Sequence, residues 1–365
     1  WSPNYFLSSN NTASVTASPQ TTTTYTVTGT TAGCNGTATV IVTVNSVSTV
    51  QSFPASSSFC SGGSVVLSAI GAVTYAWSPS TGLSASTGNS VTASPTVTTT
   101  YILTGTNASG CNGYDTTVIT VFPIPNLIIV PPAPDICIGG NILLTASGAT
   151  NYSWSPNNSL SSSTGPSVTA SPNASVTYTV DASDANGCTA TTSVVVNVNP
   201  LPSVSINPSP ATICSGDNVL LTASGATTFD WSPNSGLNSS TGSTVTASPN
   251  ATTTYTVTGT SGVGCSATNT VTVNVNPLPL INILPINSVI CSGGQVNLAA
   301  SGALTYTWSP ATGLSSTNSG GTTASPNTTT TYTVTGTSAL NCSATATTII
   351  TVNPIPVIQV NPAST

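Results

Sequence analysis

The 365-residue chain has no Lys, Arg, His or Met, and its six acidic residues are all Asp. Each absence closes a class of function. Without cations nothing can neutralise a phosphate backbone, which excludes nucleic-acid binding. Polybasic attachment to anionic lipid is excluded for the same reason. Without His, Lys, Arg or Glu, no general base is available to activate a Ser or Cys nucleophile, and no side-chain cation can clamp an oxyanion. Glycoside hydrolysis needs two carboxylates flanking one bond. The only close pair is Asp181 and Asp184, in DASDANGC, and the corresponding positions further along are Thr258 and Ser261. A reaction centre confined to one of several copies is not expected, so the chain is read as a non-enzyme with no cofactor. Long apolar runs are missing too. The most apolar stretch, LIIVPPAPDICIGGNILL, is broken by Pro and Gly, so no membrane insertion is expected. Trypsin-like proteases find no cleavage site, and Lys–Asn isopeptide crosslinks are impossible. The chain opens on Trp in mid-phrase, so the natural N-terminus is expected upstream.

What remains is 38% hydrophobic and 2% charged. Thr and Val dominate, and branching at Cβ favours an extended backbone. A disordered polar chain would carry more charge and fewer β-branched residues. The composition is all-β.

The second feature is a period of 77 residues. Cys60, Cys137, Cys214 and Cys291 keep it, as do Cys34, Cys111, Cys188, Cys265 and Cys342. So do Trp77, Trp154, Trp231 and Trp308, and Tyr101, Tyr178, Tyr255 and Tyr332. The junctions read FPIP, NPLP, NPLP and NPIP. The implied organisation is a partial repeat at 1–46, full repeats at 47–123, 124–200, 201–277 and 278–354, and the start of a further one at 355–365.

One unit reads as about seven short strands. In 201–277, SVSI and ATI form a first strand broken by NPSP. NVLLTAS is the second strand and TTFDWSP the third. SGLNSSTG is a loop or short edge piece, followed by STVTASP, TTTYTVTGT and ATNTVTVNV. Alternation such as TVTVNV places Val on one face and Thr or Asn on the other. Two sheets with one apolar face each must pack those faces together, giving an immunoglobulin-like β-sandwich. The Trp of the third strand and the Tyr of the sixth are read as core, the Tyr hydroxyl reaching nearby backbone as in a tyrosine corner. The alternative is an outward aromatic that stacks sugars.

CSGGSVVLSA, YAWSPSTGLS, TASPNATTTYTVTGT and the NPLP junctions resemble the Ig-like and polycystic-kidney-disease-like repeats of giant secreted surface proteins of gliding, Bacteroidota-type bacteria. The resemblance covers the whole chain. It implies secretion, surface display and a part in adhesion, gliding or fibre formation. The expected function is a structural stretch of a long extracellular fibre or stalk, with a cell-surface adhesin for polysaccharide or a host surface as the alternative. Expected partners are neighbouring repeats, other copies of the chain and, under the alternative, polysaccharide.

Cysteines in a charge-poor, secreted-type chain read as disulfides. In Ig topology the first cysteine series lies at the lower end of a module and the second in its upper hairpin, too far apart for one bond. The preferred pattern therefore joins neighbours: Cys60–Cys188, Cys137–Cys265 and Cys214–Cys342, leaving Cys34, Cys111 and Cys291 to partners elsewhere. The alternative stays within modules: Cys60–Cys111, Cys137–Cys188, Cys214–Cys265 and Cys291–Cys342. Two further candidates are calcium at Asp181 and Asp184, weighed against an ordinary polar turn, and O-glycosylation at Thr116, in Asp115-Thr116-Thr117.

Overall fold

The computed structural model describes residues 1–360. It is a series of two-sheet modules with no helix among the described residues. They fall into two compact units, Trp1–Val198 and the residues from Asn199 onward. Alternation sets the layers. In Thr253–Thr260, Tyr255, Val257 and Gly259 are buried while the intervening threonines are not. A period of two can bury only one face of a strand.

Within 201–277 the strands are Ser205–Asn207, Ala211–Cys214, Val219–Ser224, Thr228–Ser232, Thr244–Ala247, Thr253–Thr260 and Ser266–Asn276. The first, third and fifth form one sheet; the second, seventh, sixth and fourth, in that order, form the other. The second strand runs parallel to the seventh, with Cys214 level with Asn276, and the remaining pairs are antiparallel. The same seven strands and two sheets recur between Gln51 and Phe122, Ile128 and Asn199, and Asn282 and Asn353. In the first segment, Thr23–Thr31 and Cys34–Val42 pair as a hairpin. This is a tandem array of Ig-like sandwiches.

Two local readings are corrected. The broken first strand is two strands in different sheets, because the chain crosses over at Pro208 and Pro210, which have no N–H to give a ladder. The possible edge piece is not a strand. It makes only the single bridges Asp230↔Thr241 and Leu237↔Ala247, because Gly236 and Gly242 turn the chain at φ +77° and +110°.

Each module has its own core. In 201–277 this comprises Leu221 and Ala223 from one sheet against Trp231, Tyr255, Val257 and Val271 from the other. Trp77, Trp154, Trp231 and Trp308 are all buried, and each indole N–H donates to a backbone carbonyl eleven residues on: Gly88, Gly165, Gly242 and Ser319. Of the stub at 355–365, residues 361–365 lie outside the described residues.

Candidate functional site

The cysteines are the residues that chemistry sets apart, and the hairpin between the sixth and seventh strands positions one series of them. A residue four positions earlier caps each turn. Asn107 Oδ1 accepts the N–H of Cys111, Asp184 Oδ1 that of Cys188, Ser261 Oγ that of Cys265 and Ser338 Oγ that of Cys342. Short polar side chains that bond nearby backbone favour such turns. These caps were not singled out from sequence, although Asn, Asp or Ser four residues before Cys was visible in every full repeat, the partial first one having Thr30. Once folded, the Sγ of Cys111, Cys265 and Cys342 each lie 4.0 Å from the carbonyl of Asn45, Asn199 and Asn276, respectively.

The other cysteine series closes the second strand. Cys60 is level with Phe122, Cys214 with Asn276 and Cys291 with Asn353, all at the far end of the seventh strand. That strand has 11 residues, roughly 33 Å at the usual rise, whereas a disulfide spans about 4.4–6.8 Å between Cα atoms. The structure bonds Cys60 to Cys188, with Cα atoms 5.5 Å apart, and Cys214 to Cys342, at 5.6 Å. Each bond encloses 128 residues of sequence separation. Each within-module pairing, Cys60–Cys111, Cys137–Cys188, Cys214–Cys265 and Cys291–Cys342, would need a sulfur that these two bonds use. Cys34 and Cys291 are exposed thiols and Cys111 is half-buried.

The acidic candidates serve the fold. Asp184 caps its hairpin, accepting from Asn186 and Cys188. Asp181 lies on the outer face of the sixth strand and accepts from the Thr191 hydroxyl at 2.5 Å. The two are thus held separately, one in a turn and one in a sheet. No group of three or more potential ligands that could hold a metal ion occurs among the described residues.

Thr116 is exposed on the seventh strand. Its neighbour Asp115 turns the other way and accepts from the Ser52 amide at 2.7 Å and the Ser52 hydroxyl at 2.8 Å, tying the first strand to the last. Partial burial would raise the Asp115 pKa, but the bonds from Ser52 and the Thr116 amide outweigh it and hold the carboxyl below its ordinary value.

Tyr101, Tyr178, Tyr255 and Tyr332 are fully buried, and burial pushes each phenol up. Three of them close a tyrosine corner, Tyr101 donating to Thr81 O, Tyr255 to Ser235 O and Tyr332 to Thr312 O. Tyr178 does not, and its hydroxyl has no partner.

Two consecutive segments, 125–200 and 201–277, match the family model described as Ig-like domain CHU_C associated. No curated protein matches the sequence. Among solved structures, an eight-Ig-domain fragment of the Down syndrome cell adhesion molecule is 15% identical over 93% of this chain, with TM-score 0.35. The chain spans 54% of that fragment. Three Ig domains of titin are 16% identical over 60% of this chain and 95% of theirs, with TM-score 0.33. The human desmocollin-1 ectodomain is 12% identical over 90% of this chain and 84% of its own, with TM-score 0.25. Superpositions this loose carry no argument, and the fold assignment rests on the strand order.

Proposed function

We propose, for a chain with two consecutive repeats matching an Ig-like family, that it is a structural stretch of a long extracellular fibre or surface stalk. Tandem Ig-like repeats tied by disulfides fit an extracellular structural or adhesive region, because such bonds persist in oxidising surroundings. The finer reading rests on one observation: a disulfide joins the lower end of one repeat to the hairpin of the next, at Cys60–Cys188 and again at Cys214–Cys342. Such a bond restrains the junction, and the Pro-rich linkers add stiffness.

The repeat boundaries 47–123, 124–200, 201–277 and 278–354 belong to this proposal. So does a Cys137–Cys265 bond, which the 77-residue period implies. Cys34, Cys111 and Cys291 are assigned partners beyond these residues or on another chain. Outward Thr and Ser rows offer hydroxyls for side-by-side association; Thr254 and Thr272 already pair across strands at 2.9 Å.

The test is single-molecule electron microscopy of oxidised and reduced protein. Stiff, extended particles that become flexible on reduction support the reading. Flexible beads in both states refute it.

A further inference from the structure

The sequence holds three Asn-Gly steps: Asn35-Gly36, Asn112-Gly113 and Asn186-Gly187. At such a step a chain can attack itself. The second residue has no side chain, so its amide nitrogen reaches the Asn carboxamide carbon unhindered. Closing that five-membered ring takes the Asn out of the extended conformation, and a paired strand opposes the change.

The fold separates the three steps. Asn35 and Gly36 pair with Thr30 and Gly29, and Asn112 and Gly113 with Thr106 and Gly105. Both Asn side chains are pinned as well. Asn35 Oδ1 accepts from the Thr30 hydroxyl at 2.6 Å, and Asn112 Oδ1 from the Thr106 hydroxyl at 2.8 Å. Gly113 is buried, and a Cβ there would lie 1.8 Å from Ser48 O. Asn186 differs on each count. It lies in the turn between Val176–Ser183 and Thr189–Asn199, outside both strands. Asn186 and Gly187 are exposed, and nothing lies within 4 Å of where a Gly187 Cβ would stand. The Asn186 carboxamide makes no hydrogen bond among the described residues; only its backbone N–H is engaged, by Asp184 Oδ1. The Gly187 N–H, which must react, donates to Asp184 O at 3.2 Å, the long end of the usual range. The corresponding position in the other full repeats is Ser109, Val263 or Leu340, so this hairpin alone carries the step.

We propose that Asn186 is a self-modification site, deamidating through a cyclic imide while Asn35 and Asn112 are protected. Hydroxide takes the Gly187 amide proton, the nitrogen bonds to Asn186 Cγ, and the Cγ–Nδ2 bond breaks with release of ammonia. Water then opens the ring at either carbonyl, leaving aspartate or isoaspartate. One water is consumed and one ammonia released, with no change of oxidation state. The product places a new carboxylate near Asp184, in the turn whose cap holds the Cys188 amide. Isoaspartate also lengthens the main chain of that turn, which carries one end of the Cys60–Cys188 bond. The site is independent of the stalk reading, and each can fail alone.

The test incubates the intact oxidised chain in mildly alkaline buffer, then maps peptic peptides by mass spectrometry in acid, which halts the reaction. The Asn186 peptide should convert at least about tenfold faster than those of Asn35 and Asn112, because strand-held backbone must first open. Electron-transfer fragmentation should find both aspartate and isoaspartate at 186, the mark of an imide. Comparable rates at the three sites, or aspartate alone at 186, would overturn the proposal. In the reduced chain under denaturant the three rates should converge to within about threefold. An undiminished lead for Asn186 there would show that the turn is not the cause, and would overturn it too. Asn186→Gln should abolish the conversion of that peptide; its persistence would place the reaction on another residue and refute the assignment.

Discussion

Gly236→Ser should destabilise the 201–277 module and leave its neighbours nearly unchanged. Gly236 sits at φ +77°, a conformation that costs a residue with a Cβ about 1–2 kcal/mol. The new Cβ would also meet Pro249 Cα at 2.9 Å. That contact is backbone and cannot rotate away, so the loop must shift. The shift breaks the 2.8 Å bond from Tyr255 to Ser235 O, and a buried hydroxyl left unpaired costs about 1–3 kcal/mol. Together these give about 2–5 kcal/mol. At the matching position of 124–200 stands Ser159, at φ +69°, and Ser159→Gly should stabilise that module by about 1–2 kcal/mol through relief of the same strain. Tandem modules open semi-independently, so a global melting curve would blur the effect. Hydrogen-exchange mass spectrometry on the oxidised chain resolves it by peptide. Protection across Thr253–Thr260 and Ser266–Asn276 should fall by roughly 30-fold or more in Gly236→Ser. A change below about twofold, or an equal loss across 278–354, would refute the claim that this one φ angle controls loop closure.

Cys60→Ser should remove the bond to Cys188 and about 4–5 kcal/mol of chain-entropy stabilisation for a loop of this length; chymotryptic mapping without reductant, which recovers the joined Cys60 and Cys188 peptides from the parent chain, checks the bond itself. Trp231→Ala should cost about 3–5 kcal/mol, because it empties the centre of a core and removes the donor to Gly242 O; denaturant unfolding followed by exchange of the same module measures it. Because the folded pKa of Asp115 lies below its ordinary value, its tie to Ser52 contributes above the ordinary carboxylate range and is lost as pH falls through the folded value. Exchange at the Ser52 amide, normalised for intrinsic rates, should therefore be flat from about pH 5 to 8 and accelerate below about pH 4.

The module was legible because its signals are chemical and recur. Trp231, Tyr255 and the TVTVNV alternation each specify a buried side chain on a strand, and the same letters return at the same spacing. The placement of the first strand was not legible, because Pro208 and Pro210 announce an interruption without saying that the chain changes sheets there. SGLNSSTG looked able to form an edge, but Gly236 and Gly242 divert it at the scale of single dihedrals. The turn caps preceding the hairpin cysteines were readable only as a four-residue step among abundant polar residues. Tyr178 could not be told from Tyr255 at all. The difference accompanies Ser159, which stands where the other full repeats have Gly82, Gly236 and Gly313, and its nearness to a phenol brought in from elsewhere in the module is not written in the local sequence.

The parallel pairing of Ala211–Cys214 with Val273–Asn276 has a mechanical consequence. When the Cys214–Cys342 bond is reduced, tension along the chain pulls the second strand from its N-terminal end and the seventh from its C-terminal end, so the two slide past each other in shear. The interstrand bonds then strain together instead of peeling apart one after another, and rupture requires most of them to fail at once. A module wired this way resists stretching far better than a hairpin of equal hydrogen-bond count pulled open from its mouth.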